Sequence, residues 1–359
     1  MHAIPIRPGN GRHDLSSPGG PAMTLSPRAL LLTSALLAPL PLAAAELNLY
    51  TSREPKLVEP LLSAFTAETG ITVTTVFLKD GLAERVAAEG AASPADVLMA
   101  VDAGNMADLA AKGLTQAIDS EAVLAAVPKE LRDPENQWVA LSMRARVVYA
   151  AKDLGLSAIT YEELADPKWA GKICIRSGQH PYNTGLFAAY LAHHGSAATE
   201  TWLTGLKANL ARKPGGGDRD GAKDILGGIC DIAVANSYYV GLMRTNEKEP
   251  EQKAWGEAIT VLLPSFKDGG THVNISGAAI AKHAPHKAEA VKLLEYLTSD
   301  AAQKLYAEAN FEYPVKAGAE LAPIVAAFGT LTVDPLPLTE VVKNRKEASA
   351  LVDKVGFDN

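Results

Sequence analysis

Apolar and polar positions follow two periods along this chain. Leu47-Asn48-Leu49-Tyr50 and Ile71-Thr72-Val73-Thr74-Thr75-Val76-Phe77 keep the two-residue period of a half-buried strand. Between them, residues 56–68 carry Leu57, Pro60, Leu61, Leu62 and Phe65 at helical spacing, and Gly70 stops the helix. Residues 82–89 predict a helix, 96–101 a strand and 105–112 an alanine-rich helix. A strand buried on both faces follows at 146–150. After it come a helix at 161–164, a strand at Cys174, helices at 184–194, 199–210 and 221–226, and a strand at 229–235. Strands at 259–264 and 273–280 and helices at 287–297, 301–309 and 338–352 complete the pattern. Strand–helix alternation predicts an α/β fold with a largely parallel sheet. The second unit and the returning late segments predict two lobes about a hinge, with a ligand crevice between them. The first lobe is expected at 46–144 plus about 269–319, and the second at 145–268 plus about 320–359.

The first 45 residues fall outside this scheme. Met23 begins a start-like segment with Arg28, an apolar run over 29–42 and Ala43-Ala44-Ala45, the three parts of a secretory signal. Residues 1–22 are rich in Pro and Gly, which leaves Met1 and Met23 both open as the start. Cleavage after Ala45 removes Arg7, Arg12, Arg28 and Asp14, moving the net charge from −7 to −9. An acidic exported chain is poorly suited to nucleic acid or to anionic membranes. No later apolar run spans a bilayer, so a periplasmic protein, monomeric, is expected.

Cys174 and Cys230 are the two cysteines, and an even count in an oxidising compartment favours one disulfide. Two buried free thiols are the other reading. Each cysteine precedes a tyrosine segment, so a bridge would tie the two segments together. Those segments are Arg176-Ser177-Gly178-Gln179-His180-Pro181-Tyr182-Asn183 and Ala235-Asn236-Ser237-Tyr238-Tyr239. Adjacent tyrosines in a regular strand point to opposite faces. Both reach one point only if the chain bends from strand to helix, and Asn236 and Ser237 are good N-caps for such a bend. Tyr182, Tyr238 and Tyr239 would then form a hard oxygen site suited to ferric iron. A phenol normally titrates near pH ~10, and a bound cation holds a ligand deprotonated well below that. Two aromatics packed into a core beside a turn would give the same dipeptide. The Gly-rich loop at 213–218 lacks the Gly-Lys-Ser/Thr of a phosphate loop and reads as a turn between helices. No Ser-His-Asp, His-Glu-x-x-His or Cys-x-x-Cys motif supports an enzyme.

Five stretches give the chain a family resemblance. They are Leu49-Tyr50-Thr51-Ser52-Arg53, Ser93-Pro94-Ala95-Asp96-Val97-Leu98-Met99, Trp138-Val139-Ala140-Leu141-Ser142-Met143-Arg144-Ala145-Arg146-Val147, Asp231–Tyr239 and Asn310-Phe311-Glu312-Tyr313-Pro314-Val315. Together they resemble the periplasmic ferric-iron-binding proteins of ABC importers, over essentially all of the mature chain. The resemblance implies a Venus-flytrap fold with Tyr182, Tyr238 and Tyr239 as Fe³⁺ ligands. It also implies Arg144 as the holder of a synergistic anion such as carbonate, and delivery to an inner-membrane ABC permease. Arg146 shares a strand face with Arg144, so it is a second anion candidate or part of an ion pair. Relatives often place His-Tyr ligands after Thr-Ser-Arg, where this chain has Glu54-Pro55. Glu54 is either a substitute oxygen donor or a helix-start acid. Asp102 reads as an N-cap, and His193-His194, His283 and His286 as solvated residues; support of Tyr182 by His180 is the less favoured of that residue's readings. The alternative function is a binding protein for an oxyanion or a small phosphorylated solute, held by Arg144 and backbone amides.

Overall fold

The structure, a computed structural model, describes residues 45–359, so the predicted leader lies outside the described residues up to Ala44. The first half runs β1 (Glu46–Thr51), α1 (Pro55–Thr69), β2 (Thr72–Phe77), α2 (Leu82–Glu89), β3 (Val97–Ala100), α3 (Ala103–Ala111), β4 (Thr115–Gln116), α4 (Glu121–Ala126) and β5 (Val139–Ala151). Next come β6 (Ile173–Cys174), α5 (Pro181–His194), α6 (Ser196–Ala208), α7 (Asp218–Leu226), β7 (Ile232–Asn236), α8 (Tyr238–Arg244), α9 (Glu251–Glu257) and β8 (Ile259–Leu262). The chain ends with β9 (Val273–Ala281), α10 (Lys287–Leu297), α11 (Asp300–Asn310), β10 (Tyr313–Pro314), α12 (Pro323–Ala326) and α13 (Leu338–Lys354). The helix expected at 161–164 is a short 3₁₀ turn, Glu162–Ala165.

The strands order as β2-β1-β3-β9-β5-β7-β6, with β4 on β9 and both β8 and β10 on β5. The sheet is mixed rather than largely parallel. Only β1–β2, β1–β3 and β6–β7 run parallel among the described residues. Periodicity marks a strand but not its direction. Direction depends on how often the chain crosses between the two halves, and β9 returns antiparallel to both β3 and β5.

β5 joins the halves. Val139–Ala145 pairs with β9, whereas Arg146–Ala150 pairs with β7 and Val148–Ala151 with β8. A register shift between Ala140 and Ser142 helps it turn. Almost all of β5 is buried, as its continuous apolar pattern requires. Two apolar clusters form the core, one around β1, β3 and β9, the other around α5, α6 and α13.

Cys174 and Cys230 form the disulfide, with Cα atoms 5.9 Å apart. It fastens β6 to the start of β7, so the bases of both tyrosine segments are tied, as the spacing suggested. The bridge closes a loop of 56 residues, for which chain entropy gives about 4 kcal/mol of stabilisation. A Cys174→Ser/Cys230→Ser variant should lose roughly that much in urea unfolding. A loss under about 1 kcal/mol would show that the loop is already restrained without the bridge.

Candidate metal centre

The strand-to-helix bend falls where the sequence placed it, but by different means. β7 ends at Asn236 and α8 begins at Tyr238. Neither Asn236 nor Ser237 caps the helix with its side chain. Ser237 is already helical (φ −57°, ψ −43°) and its buried Oγ has no partner. The bend is held instead by bonds from elsewhere. The Asn236 N–H donates to Asp218 Oδ2 at 2.7 Å, Tyr149 donates its hydroxyl to Asn236 O at 2.7 Å, and the Ser237 N–H donates to Ala145 O at 3.0 Å. On a helix, successive side chains are about 100° apart rather than 180°. Tyr238 and Tyr239 therefore stand side by side, ring centres 4.1 Å apart and 30° from coplanar.

Tyr182 approaches from α5. Pro181 starts that helix, with its fixed φ suited to the first position. His180 precedes it as the cap, its Nδ1 accepting the Tyr182 N–H at 3.2 Å, and its ring meets Tyr182 edge-on at 4.5 Å. His180 thus contacts Tyr182 directly, the less favoured of its two readings from sequence. Tyr182, Tyr238 and Tyr239 line one cavity of about 590 Å³, together with Arg53, Arg144 and Glu312. Among the described residues no group of three His, Cys, Asp or Glu side chains could hold a metal ion.

Burial pushes the Tyr238 phenol well above its ordinary value, and the neighbouring Tyr182 and Tyr239 add to the shift. Tyr239 is raised for the same reasons, burial first, then Tyr182 and Asp218. Both are neutral near pH 7, and ionising them together in one cavity requires a compensating cation. Guanidinium groups lie over the outer rings, Arg176 at 5.2 Å from the Tyr182 centre and Arg219 at 5.4 Å from that of Tyr239.

The arginines divide in a way the sequence did not show. Arg144 lines the cavity and is buried. It donates to Ser276 Oγ at 2.9 Å and to the carbonyls of Val101 and Ile275, while its Nε has no partner. Arg146 does not line the cavity, and of its two readings, anion residue or ion pair, it takes the ion pair. Its guanidinium is committed to Asp218 at 2.7 Å, Asn236 Oδ1 at 3.0 Å and Asn183 Oδ1, beneath the tyrosine segments. Sharing a strand face with Arg144 is not enough, because β5 changes partners between the two residues. The second cleft guanidinium is Arg53, which sequence reasoning passed over. It donates to Ser276 at 2.7 Å and to Glu312 at 2.6 Å. Burial disfavours the Arg53 charge, but Glu312 overcomes this and raises its pKa above the ordinary value. Glu312 also accepts from Ser142 and lies 3.8 Å from Arg144. Both missed residues stand inside the stretches that carried the family resemblance.

Glu54 lies at the cavity mouth, just before α1, and makes no capping bond. Its carboxylate pairs with Lys56 at 2.8 Å and is more than half exposed. Lys56 and Lys79 also line the cavity. Asp102 caps α3, accepting the Asn105 N–H at 2.9 Å. His193 and His194 are less solvated than expected, paired with Asp334 at 2.8 Å and Glu162 at 2.9 Å.

A buried histidine beside the hinge had no sequence signal. His272 lies just before β9, its Nε2 unpartnered, and burial with Arg146 and His193 nearby lowers its pKa to about 3. The unfolded chain takes up this proton near pH ~6.5. The stability supplied by neutral His272 is therefore complete above that pH and is lost as pH falls towards 3. His180, lowered to about 4 mainly by burial, adds in the same direction. Urea stability should fall between pH 6 and 4 by up to about 1.4 kcal/mol per pH unit for each histidine. A His272→Gln variant should show a shallower fall, and an unchanged slope would remove His272 from the account.

The sequence profile described as bacterial extracellular solute-binding protein matches residues 50–304. Iron uptake protein A1 of Synechocystis is 40% identical over 317 residues, covering 87% of each chain. A solved Bordetella ferric binding protein superposes with a TM-score of 0.85 at 63% identity, over 88% of this chain and all of that one. A Trichodesmium protein solved with iron and citrate gives 0.83 at 40% identity, over 87% of this chain and 100% of its own. With this fold, these phenols in one cleft and these relatives, the chain belongs to the bacterial extracellular solute-binding protein family, in the group that contains the iron uptake and ferric iron-binding proteins.

Proposed function

We propose that this protein captures Fe³⁺ outside the cytoplasmic membrane and presents it to an ABC permease. The observation that carries the reading is the meeting of Tyr182, Tyr238 and Tyr239 in one cavity that also holds Arg144 and Arg53. Phenolates are hard, anionic oxygen donors, and a trivalent cation offsets the burial that otherwise keeps them protonated. A synergistic anion, carbonate or a small carboxylate, sits against Arg144 and Arg53, whose buried Nε groups have no protein partner. Glu54 is close enough to the mouth to contribute an oxygen once released from Lys56. The chain divides close to where β5 changes partners, between Ala145 and Arg146, and the two halves close over the cargo. Closure follows if the loaded site favours the closed form. Among the described residues no helix is long and apolar enough to cross a membrane.

The test is to load the mature protein with ferric salt and bicarbonate. Phenolate ligation gives a visible red-to-orange charge-transfer band that depends on both components. A colourless loaded protein that nevertheless binds bicarbonate in calorimetry would favour an oxyanion cargo instead.

A further inference from the structure

We propose that Phe311 is a positioning residue for the tyrosine pair: seated on Gly241 of α8, it sets where Tyr238 and Tyr239 stand relative to Arg53 and Arg144. The inference rests on reading the tyrosines as iron ligands. Its starting point is a close approach. A Cβ added at Gly241 would lie 2.1 Å from Phe311 Cγ and 2.6 Å from Phe311 Cβ, so only glycine admits the ring there. Gly241 is three residues after Tyr238, on the same side of the helix. The ring therefore presses on the side of α8 that bears Tyr238.

Both partners depart from local preference. Glycine weakens a helix interior, and Phe311 holds φ +56° and ψ +30°, a left-handed conformation unusual for a bulky residue. A simple end to α11 does not need an aromatic there, since glycine adopts that conformation freely. Strain kept at one contact points to a role for the contact.

The neighbours of Phe311 show what that role is. Glu312 follows it and binds Arg53 and Ser142, beside Arg144. Asn310 precedes it and donates its side-chain amide to Leu57 O at 3.1 Å, in the first turn of α1. Arg53 lies over the Tyr306 ring, 5.6 Å from its centre, one turn earlier in α11. Residues 310–312 thus touch three walls of the cavity, namely the start of α1, the guanidinium pair and the tyrosine helix. With Phe311 in place, the phenols and the guanidinium groups are held at one spacing.

The experiment uses Phe311→Gly, Phe311→Leu, Gly241→Ala and the combined Gly241→Ala/Phe311→Gly variant of the mature protein. Each is loaded with ferric salt and bicarbonate, and the absorption maximum and iron retention against citrate are measured. Phe311→Gly relieves the backbone and removes the ring. It should keep a cooperative unfolding transition, shift the maximum and weaken retention by about ten- to a hundredfold, as loss of an outer support does. Phe311→Leu should fall between it and the wild type. Gly241→Ala should weaken retention alone, but add nothing when the ring is absent. A folded Phe311→Gly with the wild-type maximum and retention overturns the proposal. If Phe311→Gly does not fold, wild-type behaviour of both Phe311→Leu and Gly241→Ala overturns it. If the wild type gives no band, the iron reading fails, and amide exchange in iron-free protein decides. Faster exchange at 240–243 with α11 unchanged supports positioning, and no change overturns it.

Discussion

Replacing Tyr238 and Tyr239 together with phenylalanine should shift and weaken the charge-transfer band to what Tyr182 alone supports, and weaken ferric binding by more than about a hundredfold. That bound follows because loss of a mere outer support already costs roughly ten- to a hundredfold. The substitution removes only two hydroxyls, so the stacked rings at 4.1 Å can keep their packing. Binding should also strengthen with pH in the wild type. The raised phenols are protonated in the metal-free site and must lose their protons to solvent as the metal binds. Each released proton makes affinity rise up to about tenfold per pH unit, and the double variant should lose most of this slope. Spectrophotometric titration at pH 6, 7 and 8, with a competing chelator, measures both. A double variant with the wild-type band, unchanged in position and intensity, would remove these residues from the site.

Glu312→Ala should be the most destabilising change outside the disulfide and the apolar core, by about 3–5 kcal/mol, because it leaves buried charge uncompensated. Arg53 and Arg144 are both almost fully buried and Glu312 is the carboxylate they share. Glu312→Gln keeps hydrogen-bond acceptance and should cost less. Bicarbonate should restore part of the lost stability by occupying the space between the guanidinium groups, and should do little for the wild type without iron. Urea unfolding with and without bicarbonate checks this. A loss under about 1 kcal/mol would mean that Ser276 and the backbone carbonyls satisfy both arginines without the carboxylate.

Parts of the site were legible because each rests on local chemistry. Tyr238-Tyr239 after an apolar strand announced a bend, and Pro181 before Tyr182 announced a helix start. Cys174 and Cys230 stand in apolar runs that became adjacent strands. Other parts were misread because local rules were applied where distant partners decide. Asn236 and Ser237 have good capping chemistry, yet Asp218, Tyr149 and Ala145 hold the bend. Arg144 and Arg146 share a strand face, yet Asp218 takes the second of them away from the cavity. Arg53 and Glu312 are 259 positions apart, so nothing in either segment shows that they pair.

The sequence by itself determined the elements, the bend, the cysteine pair and the oxygen-rich character of the tyrosine segments. These follow from periodicity and side-chain chemistry over a few neighbouring residues. The tertiary structure alone decided the mixed direction of the sheet, the switch of partners along β5, and which charges reach the cavity. It also decided that Phe311 meets Gly241. These depend on which distant segments are packed together, and tertiary pairing then separates charges that look equivalent along the chain, holding Arg146 against Asp218 while Arg144 lines the cavity.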